Sequence, residues 1–371
     1  MKIVVSVFFW MLTLLAVAQK KHYLLAGTYT KGKSTGIYVY DFNAKDGSLK
    51  AVDSIGTPDP SYLAVSPNQK FVYAVSEVGG NNKGKVRAFA FDSKTGHLNL
   101  LNEQPSLGDH PCYVTVDKTG KWLAVGNYTG GSFAILPIKK DGSLGGAVSS
   151  AKHSGSSINK QRQQAPHVHA VVFSQDNKFL FVPDLGIDKV MIYSFDDKTG
   201  KATPAENTAA KVEDGSGPRH FDFHPNKKWA YVVEELSGSV TAFEYNKGGL
   251  KAIQTARTVP GNYNQSFTGA DIHVSPDGRF LYSSNRDSSN TIAIFLIDQA
   301  TGKLNLVANQ STLGNTPRNF NFDPSGKFLL VANQNSDNIV VFKRDRKTGL
   351  LTDTGHRATL GNPVCIKWIE R

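Results

Sequence analysis

The chain has 371 residues, 40% of them hydrophobic, and a formal net charge of +11. A basic balance favours anionic ligands, but the Lys residues are scattered over turns, and no helix-turn-helix, zinc-finger or RNA-binding pattern accompanies them, so nucleic acid is not an expected partner. Two cysteines and no Cys/His spacing exclude a disulfide scaffold and a zinc site, and no P-loop or EF-hand pattern is present; a site without metal or cofactor is expected.

Residues 1–18 read as a secretory leader. Lys2 supplies the positive start, Ile3 to Val17 is almost wholly apolar, and Ala16-Val17-Ala18 is a small-x-small cleavage site. The run is shorter than the ~20 apolar residues that span a bilayer. The expectation is an exported protein, periplasmic or secreted, with no stable membrane insertion after cleavage and one mature domain over 19–371.

Past the leader, helical periodicity gives way to short alternating strands. HYLLAG at 22 and GIYVYDF at 36 come first, and then a unit recurs about every 50 residues. Aligned on the residue before a turn, its copies are Ser66-Pro67, Asp117-Lys118, Ser174-Gln175, His224-Pro225, Ser275-Pro276 and Asp323-Pro324. Each continues into an apolar second strand (FVYAVS, WLAVGN, FLFVPD, WAYVVE, FLYSSN, FLLVAN), and most go on to a third strand and a polar turn, often Lys-Thr-Gly. Four short strands per period define the blade of a β-propeller, an all-β fold. The N-terminal strands lack a first strand, and the C-terminal PVCIKWI lacks anything after one. Joining the two completes a seventh blade and removes the open edge. Cys112 and Cys365 then lie in blades that are not neighbours, so buried free thiols are expected. Ser149 to Gln164 is the longest irregular segment, either a loop on the channel face able to cover a site or a passive insertion.

First strands line the central channel of a propeller, so equivalent positions form rings. Five residues before the aligned position stand Ser61, Cys112, His169, Arg219, Ala270 and Arg318. Ten after it stand Ser76, Asn127, Asp184, Glu234, Asn285 and Asn333, and one further on Glu77, Tyr128, Leu185, Glu235, Arg286 and Gln334. A hairpin brings the start of its first strand beside the end of its second. His169, Arg219, Glu235, Arg286 and Arg318 are therefore expected at one end of the channel, where a blade-to-blade ion pair explains any single member but not five together. Asp271 and His273 share a first strand of which one face sees the channel, and they rank lower with His167, His220 and Asp184.

With these residues in hand, the chain resembles the bacterial seven-bladed propeller lactonases of the 6-phosphogluconolactonase type, a family that includes fungal carboxy-muconate cyclases. The resemblance covers essentially the whole mature chain. It is carried by Gly217-Pro218-Arg219-His220 with Phe223-His224-Pro225-Asn226, by Glu235-Leu236, by Ala270-Asp271-Ile272-His273, by Thr316-Pro317-Arg318 and by Val182-Pro183-Asp184-Leu185-Gly186. It implies catalysis by His169, Glu235, Arg219 and Arg286, with no metal or cofactor. Arg318, His220, Asp184, Asp271 and His273 are the candidates for substrate binding. The implied activity is hydrolysis of a sugar-acid lactone, 6-phosphogluconolactone or a related aldonolactone, by a monomer acting on a small anionic substrate. A muconate-type lactonising lyase shares the residues, and a non-catalytic exported binding propeller shares the fold. One departure is Glu234, where relatives usually have Asn; like-charge repulsion between it and Glu235 is expected to raise the pKa of one of them.

Overall fold

The computed structural model describes residues 21–371 except Asn82. The leader at 1–18 lies outside the described residues.

Seven four-stranded antiparallel sheets follow one another around a ring. Six take four strands in chain order, as in Pro218–Phe223, Trp229–Glu234, Ser239–Asn246 and Gly249–Arg257. The seventh is closed as expected. Pro363–Glu370 pairs antiparallel with His22–Thr28, which continues into Gly36–Phe42 and Leu49–Gly56. A blade made from both chain ends joins every sheet to two neighbours and locks the ring.

The repeat has a local cause. In five copies the aligned Ser or Asp side chain accepts the N–H that opens the second strand: Phe71 N to Ser66 Oγ at 3.0 Å, Trp122 N to Asp117 Oδ1 at 2.8 Å, Phe280 N to Ser275 Oγ at 3.0 Å. At His224 the ring Nδ1 accepts from Asn226 N instead. Three residues on, the backbone turns left-handed in all six copies, at Gln69, Gly120, Asn177, Lys227, Gly278 and Gly326. The polar residue thus fixes the turn, and Gly or Asn serves that backbone best.

The glycine of the closing turn has another task. Gly200 lies flat on Trp122, Gly302 on Trp229 and Gly349 on Phe280, so that a Cβ at Gly200 would come within 2.4 Å of the indole. Each contact crosses from one blade to the one before it. The cores cross likewise: one joins Trp229, Tyr231 and Val233 to Leu281, Ala293 and Phe295 of the next blade. Each fully buried aromatic of this kind contributes roughly 2–3 kcal/mol. Cys112 and Cys365 are buried and free, as expected.

Two expectations need correction. Ser149–Lys152 is not loop but the fourth strand of its blade, paired with Ser132–Pro137, so the irregular segment starts only after it. The first strand carrying His169 is regular only at Val172–Phe173; upstream the backbone holds by single bonds such as His169 N to Pro183 O at 3.0 Å.

Candidate functional site

Every inner strand that carries a ring residue as regular strand is bulged at that residue. Pairing slips between Pro218 and His220, between Pro111 and Tyr113, and between Pro317 and Asn319, leaving Arg219, Cys112 and Arg318 as the extra residues. A bulge re-aims side chains that strict alternation would send to opposite faces. The consecutive Arg219 and His220 consequently line one narrow cavity, together with Ser61, Glu77, Cys112 and Arg318.

The predicted convergence is realised around Glu235. Its Oε2 accepts from Arg219 Nε at 3.0 Å and lies 3.1 Å from Arg286 Nη2, while Oε1 accepts from Arg162 Nη2 at 2.6 Å. His169 Nε2 stands 3.8 Å from the same Oε2, and its Nδ1 is 3.7 Å from Cys112 Sγ. Burial would raise the Glu235 pKa, but the charges of Arg286, Arg219 and Arg162 outweigh it and hold the carboxyl well below its ordinary value. Burial, and then the Arg219 charge, push His169 well below its usual value, so its ring is neutral at neutral pH. Burial and the charges of Arg318 and Arg286 lower Arg219 to about 10, which leaves it charged there. Arg286 also donates to Gly269 O at 2.9 Å, and its buried Nε has no hydrogen-bond partner among the described residues. A buried N–H without an acceptor is costly, and a ligand oxygen would relieve it.

The second-rank residues separate. His220 reaches the cavity, but both ring nitrogens are taken: Nδ1 by Asp271 Oδ1 at 2.7 Å and Nε2 by Arg219 Nη1 at 3.0 Å. Burial and the Arg219 charge push its pKa down to about 3. Asp271, 1% exposed, serves His220, His273, Asn319 and the Phe320 N–H, which leaves little to offer a ligand. His273 binds the far side of Asp271 at 3.1 Å. Asp184 is engaged away from the cluster, by His153 Nδ1 from the end of the preceding blade at 2.7 Å and by the backbone N–H groups of His167 and Gly186. His167 stacks on Tyr128. The geometry thus gives Asp184, Asp271 and His273 supporting contacts rather than a place in the cluster.

Glu234 corrects another expectation. Its carboxyl turns into the blade and accepts from Ser237 Oγ at 2.9 Å and from Thr241 Oγ1. Its pKa is raised to about 7, foremost by burial and then by Glu213 and Asp188, not by repulsion from Glu235.

Arg162 was missed altogether. It sits in the insertion after Lys152, outside the repeat, so no ring alignment could find it. The insertion is tied down by Asp188, which accepts from Gln163 Nε2 at 2.7 Å and from Ser157 Oγ. Tyr29, in the N-terminal blade, was missed for the same reason; Arg318 Nη2 donates to its hydroxyl at 2.9 Å. A wider groove on the outer face, rimmed by Lys21, Asp41, Lys45, Lys50 and Arg371, brings together no comparable cluster.

A closed ring of seven blades with carboxylate, imidazole and guanidinium groups gathered at the bulged ends of its inner strands fits one class. Residues 23–368 match the model of the family described as "Lactonase, 7-bladed beta-propeller". The chain belongs to that family; a lactone is a cyclic ester, so the class is that of carboxylic-ester hydrolases. Among relatives, it is 42% identical over 334 residues to the 6-phosphogluconolactonase of Formosa agariphila, covering 88% of this chain and 94% of the relative. To the 6-phosphogluconolactonase of Bacillus subtilis it is 38% identical over 350 residues, covering 93% and 97%. The solved structure of the periplasmic gluconolactonase of Pseudomonas aeruginosa superposes with a TM-score of 0.90 at 38% identity, covering 94% of this chain and 99% of that one.

Proposed function

We propose that the chain hydrolyses a sugar-acid lactone, 6-phosphogluconolactone or a related aldonolactone, at the mouth of its channel, with His169, Glu235, Arg219 and Arg286 as its working residues and no metal. The observation that carries this reading is the unpartnered Nε of Arg286 beside a carboxylate already saturated by guanidinium groups. Such a fan binds a carbonyl oxygen and strengthens its hold as that oxygen becomes an oxyanion.

Ester cleavage needs a water oxygen to add to the lactone carbonyl, a base to take the water's proton, and a proton for the departing ring oxygen. His169 is neutral at neutral pH and can accept the proton on Nε2, then return it as the C–O bond breaks and the ring opens to a hydroxy acid. Glu235 stays ionised throughout and holds three arginines at fixed angles. Arg219 and Arg286 receive the negative charge, and Arg318 anchors a remote polar or anionic part of the substrate. The names of the curated relatives support lactone hydrolysis. The pattern of Met1 to Ala18, with a periplasmic gluconolactonase among the structural neighbours, supports export.

The test is a pH-indicator hydrolysis assay on residues 19–371 with glucono-1,5-lactone and freshly generated 6-phosphogluconolactone, against Arg286→Ala. Acceleration over spontaneous opening, lost in the variant, is the expected result. No acceleration with either substrate would overturn the reading.

A further inference from the structure

The cavity has a second side of which the catalytic scheme uses only Arg318. We infer that Glu77, with Ser61, Tyr29 and Arg318, forms a charge-balanced half of the site that reads substrate hydroxyls and selects a neutral polyol substituent over a phosphorylated one. This rests on the lactonase reading and sharpens it.

Four observations carry the inference. Glu77 Oε2 accepts from the Tyr29 hydroxyl at 3.0 Å and from Ser61 Oγ, whereas Oε1 has no hydrogen bond among the described residues. Arg318 does not pair with Glu77 directly. It donates Nη2 to the Tyr29 oxygen at 2.9 Å and lies over the Tyr29 ring, its Cζ 5.3 Å from the centroid. The assembly is built in advance. Asp59 adopts a left-handed φ of 38°, and its carbonyl accepts the backbone N–H groups of both Ser61 and Glu77, at 2.8 and 3.0 Å. Finally, Ser61, Glu77 and Arg318 line the same cavity as Arg219, and Cys112 at its wall touches His169.

The two sides therefore differ in charge. Around Glu235, three guanidinium groups face one carboxylate, a surplus suited to a developing oxyanion. Around Glu77, one guanidinium faces one carboxylate, and the free carboxylate oxygen is an acceptor only. It can take a hydroxyl proton, while it repels a phosphate dianion placed against it. With the lactone carbonyl at Arg219 and Arg286, the hydroxylated part of the ring and its tail would fall on Glu77 and Ser61. Sites built from such acceptors discriminate sharply against analogues lacking the hydroxyl.

The experiment compares wild type with Glu77→Gln on glucono-1,5-lactone, 6-phosphogluconolactone and unsubstituted δ-valerolactone. For the variant, kcat/KM toward gluconolactone should fall about tenfold or more, chiefly through KM, as befits loss of a hydroxyl contact. δ-Valerolactone turnover should hardly change, and the preference for the phosphorylated over the unphosphorylated sugar lactone should rise about tenfold. Equal losses on all three substrates, or no change in their ratios, would overturn the inference. Should the variant fail to fold, Ser61→Ala, which keeps the carboxylate, must raise KM for gluconolactone selectively. If wild type hydrolyses none of the three, the lactonase reading fails by itself. Calorimetric binding of gluconate to wild type and Glu77→Gln then decides, with equal affinity counting against the hydroxyl site.

Discussion

Arg219 donates Nε to Glu235 Oε2 at 3.0 Å while both residues are almost wholly removed from water, at 2% and 4% exposure. A buried pair of this kind is a weak stabiliser but is costly to break from one side. Glu235→Gln would leave three guanidinium groups without their common anion. Its melting temperature should drop by several degrees, a loss of about 3 kcal/mol. Turnover should fall about a hundredfold or more as the arginines lose their alignment. Circular dichroism and the indicator assay separate the two effects; normal turnover in a folded variant would remove Glu235 from the mechanism.

Arg162 reaches Glu235 from the insertion, and its side chain is 40% exposed. Exposed charges are screened by solvent and salt, so Arg162→Ala should cost far less than Arg286→Ala, about tenfold in kcat/KM by that comparison. The fold should be untouched, because the insertion stays tied to Asp188 through Gln163 and Ser157. Steady-state kinetics at low and high salt check this: the difference between wild type and variant should shrink as salt rises.

How much of this was legible in the sequence depended on what the repeat could carry. The blades, their closure through Pro363–Glu370, and the meeting of His169, Arg219, Glu235 and Arg286 follow from aligned hairpins. Two things did not follow. The ring ending in Asn333 holds residues that tie each blade to the end of the one before it: Asn127, Asn285 and Asn333 donate to backbone carbonyls of Ser106, Thr258 and Thr312. Asp184 and Glu234 share that position and are likewise turned from the cluster, so only the next residue of each blade points to the cluster. One step along a strand reverses the face, and the alignment could not tell which ring was which. The other omission was Arg162 and Tyr29, which lie outside the six aligned copies.

His169 makes the pH profile informative. Burial and the Arg219 charge lower its pKa, so the neutral base is present above that depressed value and is lost only as the pH falls through it. The acid limb of kcat/KM should therefore lie well below the ordinary histidine value of 6.5. Rates corrected for spontaneous hydrolysis, measured from mildly acid to neutral pH, test this. A break at the ordinary histidine value would mean that a different group, or a solvated His169, takes the proton.

Glu234 predicts a stability change of the opposite sense to most carboxylates. Its folded pKa is about 7 against an ordinary 4.5, so the native state holds a proton that the unfolded chain has released. Stability from this group is complete below the unfolded value and is lost as pH rises toward the folded value, by about 3 kcal/mol in all. Glu234→Gln mimics the protonated form and should flatten the fall in melting temperature between pH 5 and pH 8. An unchanged slope would show that the carboxyl ionises without cost.

Asp271 reaches the cluster only through His220. Because Asp271 is ionised, its pKa held well below normal mainly by His273 and His220 against the cost of burial, His220 must donate Nδ1–H to it. That choice leaves Nε2 as the acceptor for Arg219 Nη1. Asp271→Asn replaces one acceptor oxygen by an amide donor. If the amide faces His220, the ring must turn to its other tautomer, and Nε2–H then opposes Arg219 N–H. Arg219 should swing from its place beside Glu235, and kcat should fall about tenfold or more, as when a positioning contact is lost. A purely structural role would lower the melting temperature alone. The double-mutant cycle with His220→Gln distinguishes the two: if the residues act as one relay to Arg219, the double variant should lose little more kcat than either single one. Additive losses would show that Asp271 and His220 support the blade independently and that Arg219 is oriented without them.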